Sequence, residues 1–96
     1  MTKSRARRLS DEQVQAIAQA VADPRRFAIL QQIAGASACA CSAVRESHDI
    51  SAATISHHIR ELADAGLIDV EREGRTASLT LRRDVWDAYV ERLAEL

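Results

Sequence analysis

Aromatic residues are scarce in this chain: one Phe, one Trp and one Tyr in 96 residues. Ala, Leu, Ile and Val supply most of the 47% hydrophobic content, an ordinary share that excludes a disordered chain. A sequence so short of aromatics does not build a large sheet sandwich, and it favours helices packed through aliphatic side chains. No run of about 18 apolar residues occurs, so no membrane-spanning helix is expected. The start, MTKSRARRLSDEQ, is basic but has no apolar stretch behind it, which argues against a secretory signal. The two cysteines, Cys39 and Cys41, are one residue apart. A disulfide between them would close almost no loop and would be strained, so the expectation is a reducing, cytoplasmic setting.

The length suits one small domain, which as a lone monomer would be marginally stable; association into a dimer is a common remedy. The net charge of −1 gives no crude nucleic-acid signature, but its distribution does more. Residues 1–9 hold Lys3, Arg5, Arg7 and Arg8 without an acid, while residues 10–96 carry 9 basic against 14 acidic residues. The reading is a basic N-terminal arm on an acidic body, either a phosphate-reaching arm or a solvated tail.

Punctuation is sparse, with three glycines and one proline. Ser10 and Gln13 form a capping box, and Val14, Ile17, Ala18 and Val21 follow at helical spacing. Asp23-Pro24 opens a second helix with Phe27, Leu30, Ile33 and Ala34 as its apolar stripe and Gly35 as its end. A small, flexible stretch over 35–40 precedes a short helix around 42–47. Ser51 caps a fourth helix running to about Ala65, stopped by Gly66. The period then changes to two, in 68–73 and 76–81, which predicts a two-stranded hairpin turning near Gly74. A last helix from about Arg83 carries Val85, Trp86, Tyr89, Val90, Leu93 and Leu96.

The fourth helix has two faces. Ala52, Ile55, Ile59 and Leu62 fall together and should pack inward; Ala53, Ser56, His57, Arg60 and Asp64 lie opposite. His57 points away from the core and His58 lies on the flank, free either to touch DNA or to pack and orient the helix. Adjacent helical residues diverge by about 100°, so the doublet does not readily grip one metal ion. A short helix, a turn and a helix with small polar residues outward make a helix-turn-helix. Ser, Thr, His and Arg permit close approach to a duplex and can hydrogen-bond there. The hairpin is then the wing, with Arg72 and Arg75 flanking its tip, placed to reach phosphates or a minor groove. The expected DNA-facing set is Thr54, Ser56, His57, His58, Arg60, Arg72 and Arg75, with Thr54 alternatively serving only the helix start. Arg25 and Arg26 are expected on a solvated face, the alternative being a place near the DNA backbone.

Three segments carry a family likeness. ADPRRFAILQQIA (22–34) is similar to an "ADPTRLRIL" second helix, ATISHHIRELADAGLI (53–68) to a recognition helix, and DVEREGRTASLTL (69–81) to the wing of the ArsR/SmtB winged-helix repressors. The resemblance implies a mainly α fold with a small β-hairpin, ordered α-α-α-α-β-β-α, over 10–96. It also implies a homodimer, built by the first and last helices, that places recognition helices in successive major grooves of a palindromic double-stranded operator. Val14, Ile17, Val21, Trp86, Tyr89 and Leu93 are the dimer candidates, with Leu96 joining the last three in reading as dimer core.

Metalloid-responsive members of that family carry a C-V-C motif where this chain has Cys39-Ala40-Cys41. The resemblance therefore implies As(III), Sb(III) or another thiophilic ion at Cys39 and Cys41. The alternatives are an oxidant sensed by the thiols, since Cys41 near a helix start is placed for reactivity, or small residues filling a loop. No third cysteine exists, so His48 or a partner-subunit group would have to complete a three-donor site. The family's other site, paired Asp and His on the last helix, lacks its histidine here: RRDVWDAYVERLAEL offers Asp84 and Asp87 only. Catalysis is not expected, because the acids are scattered and no Gly-rich phosphate loop or nucleophile elbow is present. The competing class is a winged-helix module that binds protein and no DNA.

Overall fold

The computed structural model describes residues 8–96, so Lys3, Arg5 and Arg7 of the basic arm lie outside the described residues. Five helices and three strands follow one another: α1 (Asp11–Ala22), α2 (Pro24–Ala34), β1 (Cys39–Ala40), α3 (Cys41–Ser47), α4 (Ala52–Asp64), β2 (Ile68–Glu73), β3 (Thr76–Leu81) and α5 (Arg83–Ala94). The local chemistry at the boundaries is what the sequence dictates. Ser10 accepts from the Gln13 amide at 3.1 Å while the Gln13 side chain accepts from the Ser10 amide at 2.8 Å, a complete capping box. Asp23 caps α2 through the amides of Arg25 and Arg26, with Pro24 at the first turn. Gly66, with φ +82°, ends α4. Its amide bonds to Ala63 O at 2.9 Å and that of Leu67 to Leu62 O at 3.0 Å, the paired bonds of a Schellman motif.

Gly74 has φ +60° and among the described residues no non-glycine residue has a positive φ, so the two-residue Gly74-Arg75 loop is the type II′ turn that matches strand twist. Wing strands β2 and β3 pair antiparallel from Ile68↔Leu81 to Glu73↔Thr76. The sheet has one strand more than the expected hairpin. Cys39 and Ala40 pair with Leu79 and Ser78, giving the order β1-β3-β2. Two residues are too few to show a period, but pairing satisfies backbone groups that a loop there would leave to solvent.

Ile17, Ile29, Ile33, Val44, Ile55, Leu62, Leu67 and Leu79 are essentially inaccessible and join the helices to the sheet through one core. On α2 the inward position belongs to Ile29, whereas Phe27, expected inside, is 36% exposed. The stripe is rotated by the need to seat Leu30 and Ile33 as well. Leu79 lies between Cys39 and Val70 in the sheet register with no exposed area. Leu79→Ala is expected to cost about 2–5 kcal/mol in urea unfolding, because the core cannot collapse around a sheet centre; a cost under about 1 kcal/mol would contradict this packing.

The C-terminal end of α5 is tied to the start of α1. Arg92 donates to Leu9 O at 2.7 Å and to Asp11 at 2.8 Å, and Arg8 pairs with Glu95 at 3.3 Å. The expected dimer residues divide on this layer. Ile17 and Tyr89 belong to the chain's own core, Val14, Val21 and Trp86 are half-buried, and Leu93 is 46% exposed. Val90, which the dimer candidates omitted, and Leu96 join Leu93 as exposed apolar groups.

Candidate nucleic-acid interface

Helix α4 buries Ile55, Ile59 and Leu62 and exposes Ala53, Ser56, His57, Arg60 and Asp64. Thr54 is half-buried: its amide donates to Ser51 Oγ at 3.1 Å, and its hydroxyl accepts from that Oγ at 2.9 Å. It is thus engaged in starting the helix, the alternative foreseen for it. The histidine doublet separates. The ring centroids are 5.9 Å apart, but His57 is exposed and His58 only 5% exposed. Burial removes His58 from the outward DNA-facing set, because its ring is packed against α2, with Nδ1 3.3 Å from the Arg26 guanidinium. Arg26 is correspondingly half-buried, not solvated.

The groove between α3, α4 and the wing holds a cavity of about 590 Å³, lined by Cys41, Arg45, Ser56, Ile59, Arg60, Ala63, Val70 and Arg72. A smaller one of about 150 Å³ continues it toward the wing tip, adding Ser42, Arg75 and Thr76. Strand alternation sorts the charges. Val70 and Arg72 face the groove, whereas Glu71 and Glu73 line a separate cavity beside Ala38, Ala40 and Ser78. The acidic residues of the wing are thereby turned away from the basic face.

The arginines fall into two sets. Arg8, Arg26, Arg82 and Arg92 are held by carbonyls, carboxylates or the His58 ring. Among the described residues Arg25, Arg45, Arg60, Arg72, Arg75 and Arg83 make no side-chain hydrogen bond or ion pair, and all six are exposed. Arg45, Arg60, Arg72 and Arg75 line the groove and its extension, whereas Arg25 and Arg83, at the starts of α2 and α5, do not. A set of unengaged guanidiniums around one groove attracts a polyanion. Arg45 is absent from the sequence-derived set. It sits in a seven-residue helix too short for a period, and its relevance depends on the wing folding back beside it.

The thiols sit at the back of this face. Cys39 is 6% exposed, and burial, with the nearby Cys41 charge adding to it, pushes its pKa up. Cys41 is half-buried and lines the groove. His48, the intrachain donor considered for a third ligand, is bound to Gln32 Oε1 at 3.0 Å through Nε2. It caps the other end of α3, about 10 Å along the helix axis from Cys41. Among the described residues no three His, Cys, Asp or Glu side chains converge on a possible metal position. One chain thus provides two thiols, one of them disfavoured as a thiolate, and does not by itself fit a three-coordinate metalloid.

No helix of the described residues is long and apolar enough to cross a membrane. A family model described as a helix-turn-helix domain matches residues 21–71, from the end of α1 into β2. The chain is 32% identical over 83 residues to the uncharacterized HTH-type transcriptional regulator YceK of Bacillus subtilis (strain 168), covering 84% of this chain and 83% of that one. It is 28% identical over 79 residues to the arsenical resistance operon repressor of Staphylococcus xylosus, covering 82% and 75%. Among solved structures, the ArsR family transcriptional regulator RHA00566 superimposes with a TM-score of 0.81 at 28% identity, over 93% and 91% of the two chains. The homodimeric winged helix-turn-helix domain of Mb0332 from Mycobacterium bovis, a possible ArsR-family regulator, gives 0.71 at 26% identity over 91% and 88%. The chain belongs to the ArsR family of winged helix-turn-helix transcriptional regulators, proteins that bind DNA and are not enzymes.

Proposed function

We propose that this chain represses transcription by binding a palindromic double-stranded operator as a homodimer in the cytoplasm. Helix α4 enters the major groove, where Ser56, His57 and Arg60 read base edges. Arg45, Arg72 and Arg75 hold the phosphates on either side, and Thr54 acts through the helix start. The observation that carries this reading is the clustering of four of the six unengaged arginines, Arg45, Arg60, Arg72 and Arg75, around the α3–α4–wing groove of an otherwise acidic body. Support for the dimer comes from the apolar Val90, Leu93 and Leu96 left exposed beside α1, and from the homodimeric relative. Footprinting on the DNA upstream of its own gene tests the operator: a protected, two-fold symmetric site is expected, and uniform coverage without a protected site would reject it.

The inducer reading is narrower. The arsenical-resistance relative and the Cys39/Cys41 pair support a thiophilic ion or an oxidant acting at these thiols. With two donors per chain, an As(III) or Sb(III) site would need a group from the partner subunit. An inducer that releases DNA must bind the DNA-incompetent state more tightly. Arsenite, cadmium, zinc and peroxide are therefore titrated against the operator complex of the wild type and of the Cys39→Ser/Cys41→Ser double variant. The expected result is release from the wild type alone by one of them. Equal release from both proteins would remove the cysteines from sensing.

A further inference from the structure

The contact between Arg26 and His58 joins three helices, and neither residue is part of the DNA-facing groove. Arg26 leaves α2 and runs back along the end of α1, where Nε donates to Ala20 O at 2.6 Å and one terminal nitrogen to Gln19 O at 3.3 Å. The other terminal nitrogen reaches His58 Nδ1 on α4 at 3.3 Å. A guanidinium has five donors and no acceptor. The ring nitrogen must therefore accept, which fixes His58 as neutral with its proton on Nε2. Position 58 also neighbours the outward His57 and lies two residues before Arg60, so any turn of α4 about its axis at this contact moves both groups on the DNA face.

We propose that Arg26 and His58 are a positioning pair that locks the rotation of the recognition helix to the α1–α2 layer and so sets operator specificity. This inference rests on the proposed DNA-binding function. Asp23 belongs to the same unit, because its carboxylate caps α2 at the Arg25 and Arg26 amides at 2.9 and 3.1 Å and faces both Arg26 and His58. The Arg26 amide first, then the Arg25 amide and the Arg26 charge, hold the Asp23 carboxyl below its usual range against the opposing cost of desolvation.

The pair makes the lock sensitive to acid. The groups around His58 are Asp23, Arg25 and Arg26 from α2 and His57 on its own helix. Glu61 and Asp64 of α4 line the cavity of about 230 Å³ next to Arg26, with Ala16, Gln19 and Ala20 of α1 contributing no charge. Burial lowers the His58 pKa from 6.5; Asp23 raises it, and Arg26, His57 and Arg25 lower it. The folded protein thus resists protonation at this ring, and the lock is intact at and above pH 6.5. Below that, protonation would set an N–H against a guanidinium that can only donate. Specificity is therefore lost as pH falls, and one proton per subunit limits the change to about tenfold per pH unit for each subunit.

The test measures binding of the full chain to the footprinted operator and to a scrambled duplex between pH 7.5 and 5.0, with histidine ring-nitrogen NMR on the DNA-free protein. The wild type should lose about tenfold in its operator-to-scrambled ratio across that range. His58→Asn keeps an acceptor near the Nδ1 position and cannot be protonated, so its ratio should stay flat and within about threefold of wild type at pH 7.5. His57→Asn and His48→Asn should retain the acid step. Arg26→Met, shown folded by circular dichroism, should lower the ratio about tenfold or more at every pH, whereas Arg26→Lys recovers part of it. In the NMR spectrum His58 should be the Nε2-protonated tautomer in the wild type and a tautomer mixture in Arg26→Met. An unchanged acid step in His58→Asn, or a wild-type ratio in Arg26→Met, would overturn the proposal. A wild type with no operator preference at any pH would sink the DNA-binding reading, while the tautomer comparison would still confirm or refute the contact itself.

Discussion

Arg60→Ala is expected to lower affinity for the operator by roughly 30-fold to 10⁴-fold while changing affinity for a scrambled duplex far less. Arg60 sits on the exposed face of α4, lines the groove shared with the wing, and has no carboxylate or carbonyl holding it among the described residues. A guanidinium in that position can pair with a guanine edge through two parallel hydrogen bonds, worth about 1–3 kcal/mol of discrimination. A two-fold symmetric dimer makes the contact twice, so the loss per dimer is about 2–6 kcal/mol. Arg75 gives the contrasting result. It stands in the Gly74-Arg75 turn at the wing tip, where the proposed role is a phosphate contact. Arg75→Ala should weaken operator and scrambled duplex alike, and should lower the salt slope by about one unit for each phosphate left without its cation. Anisotropy on both duplexes distinguishes the two behaviours. An Arg60→Ala protein that keeps its operator preference would show that α4 is read elsewhere along its length.

Leu93→Asp is expected to convert the dimer to monomer and to cost operator affinity by about a thousandfold or more. Leu93 and Val90 are each 46% exposed on α5, and Leu96 is fully exposed. These apolar groups lie on a helix that Arg92 has already fixed to the start of α1, so they form part of a rigid layer. Symmetry places each substituted carboxylate in the same apolar contact from both sides, where its desolvation is uncompensated. A monomer holds one half-site. If a dimeric operator complex has a Kd near 10⁻⁸ M, half of that binding free energy corresponds to a Kd of about 10⁻⁴ M. Because the side chain is exposed in the single chain, folding is expected to survive. Sedimentation velocity measures the assembly state, and a Leu93→Asp protein that stays dimeric would place the interface on another face.

Features decided by neighbouring residues are legible in the sequence. The Ser10/Gln13 box, the Asp23-Pro24 start, the Ser51 cap and the glycines at 66 and 74 need only local chemistry, and each is found in place. Features decided by distant residues are not. Strand β1 exists because Leu79 and Ser78 come to lie beside Cys39 and Ala40, nearly forty residues away. His58 is ambiguous on a helical wheel, and the group that resolves it, Arg26, is 32 residues earlier. Phe27 and Ile29 compete for the inside of α2, and periodicity alone does not decide between them. Arg45 gains its place in the groove only when the wing brings Arg72 and Arg75 next to α3. The dimer candidates show the same limit, since Ile17 and Tyr89 satisfy the apolar spacing of an interface but are taken up by the chain's own core.

The most direct measurement of the central claim is the affinity of the full chain for its footprinted operator and for a scrambled duplex across a series of salt concentrations. Sequence-specific binding by the α3–α4–wing face predicts operator affinity at least about a thousandfold above scrambled at physiological salt. It also predicts a linear fall of log affinity with log salt, as Arg45, Arg72 and Arg75 release counterions from the phosphates they cover. Equal, weak affinity for both duplexes, or binding that does not respond to salt, would contradict it. That result would make the winged helix a protein-binding module.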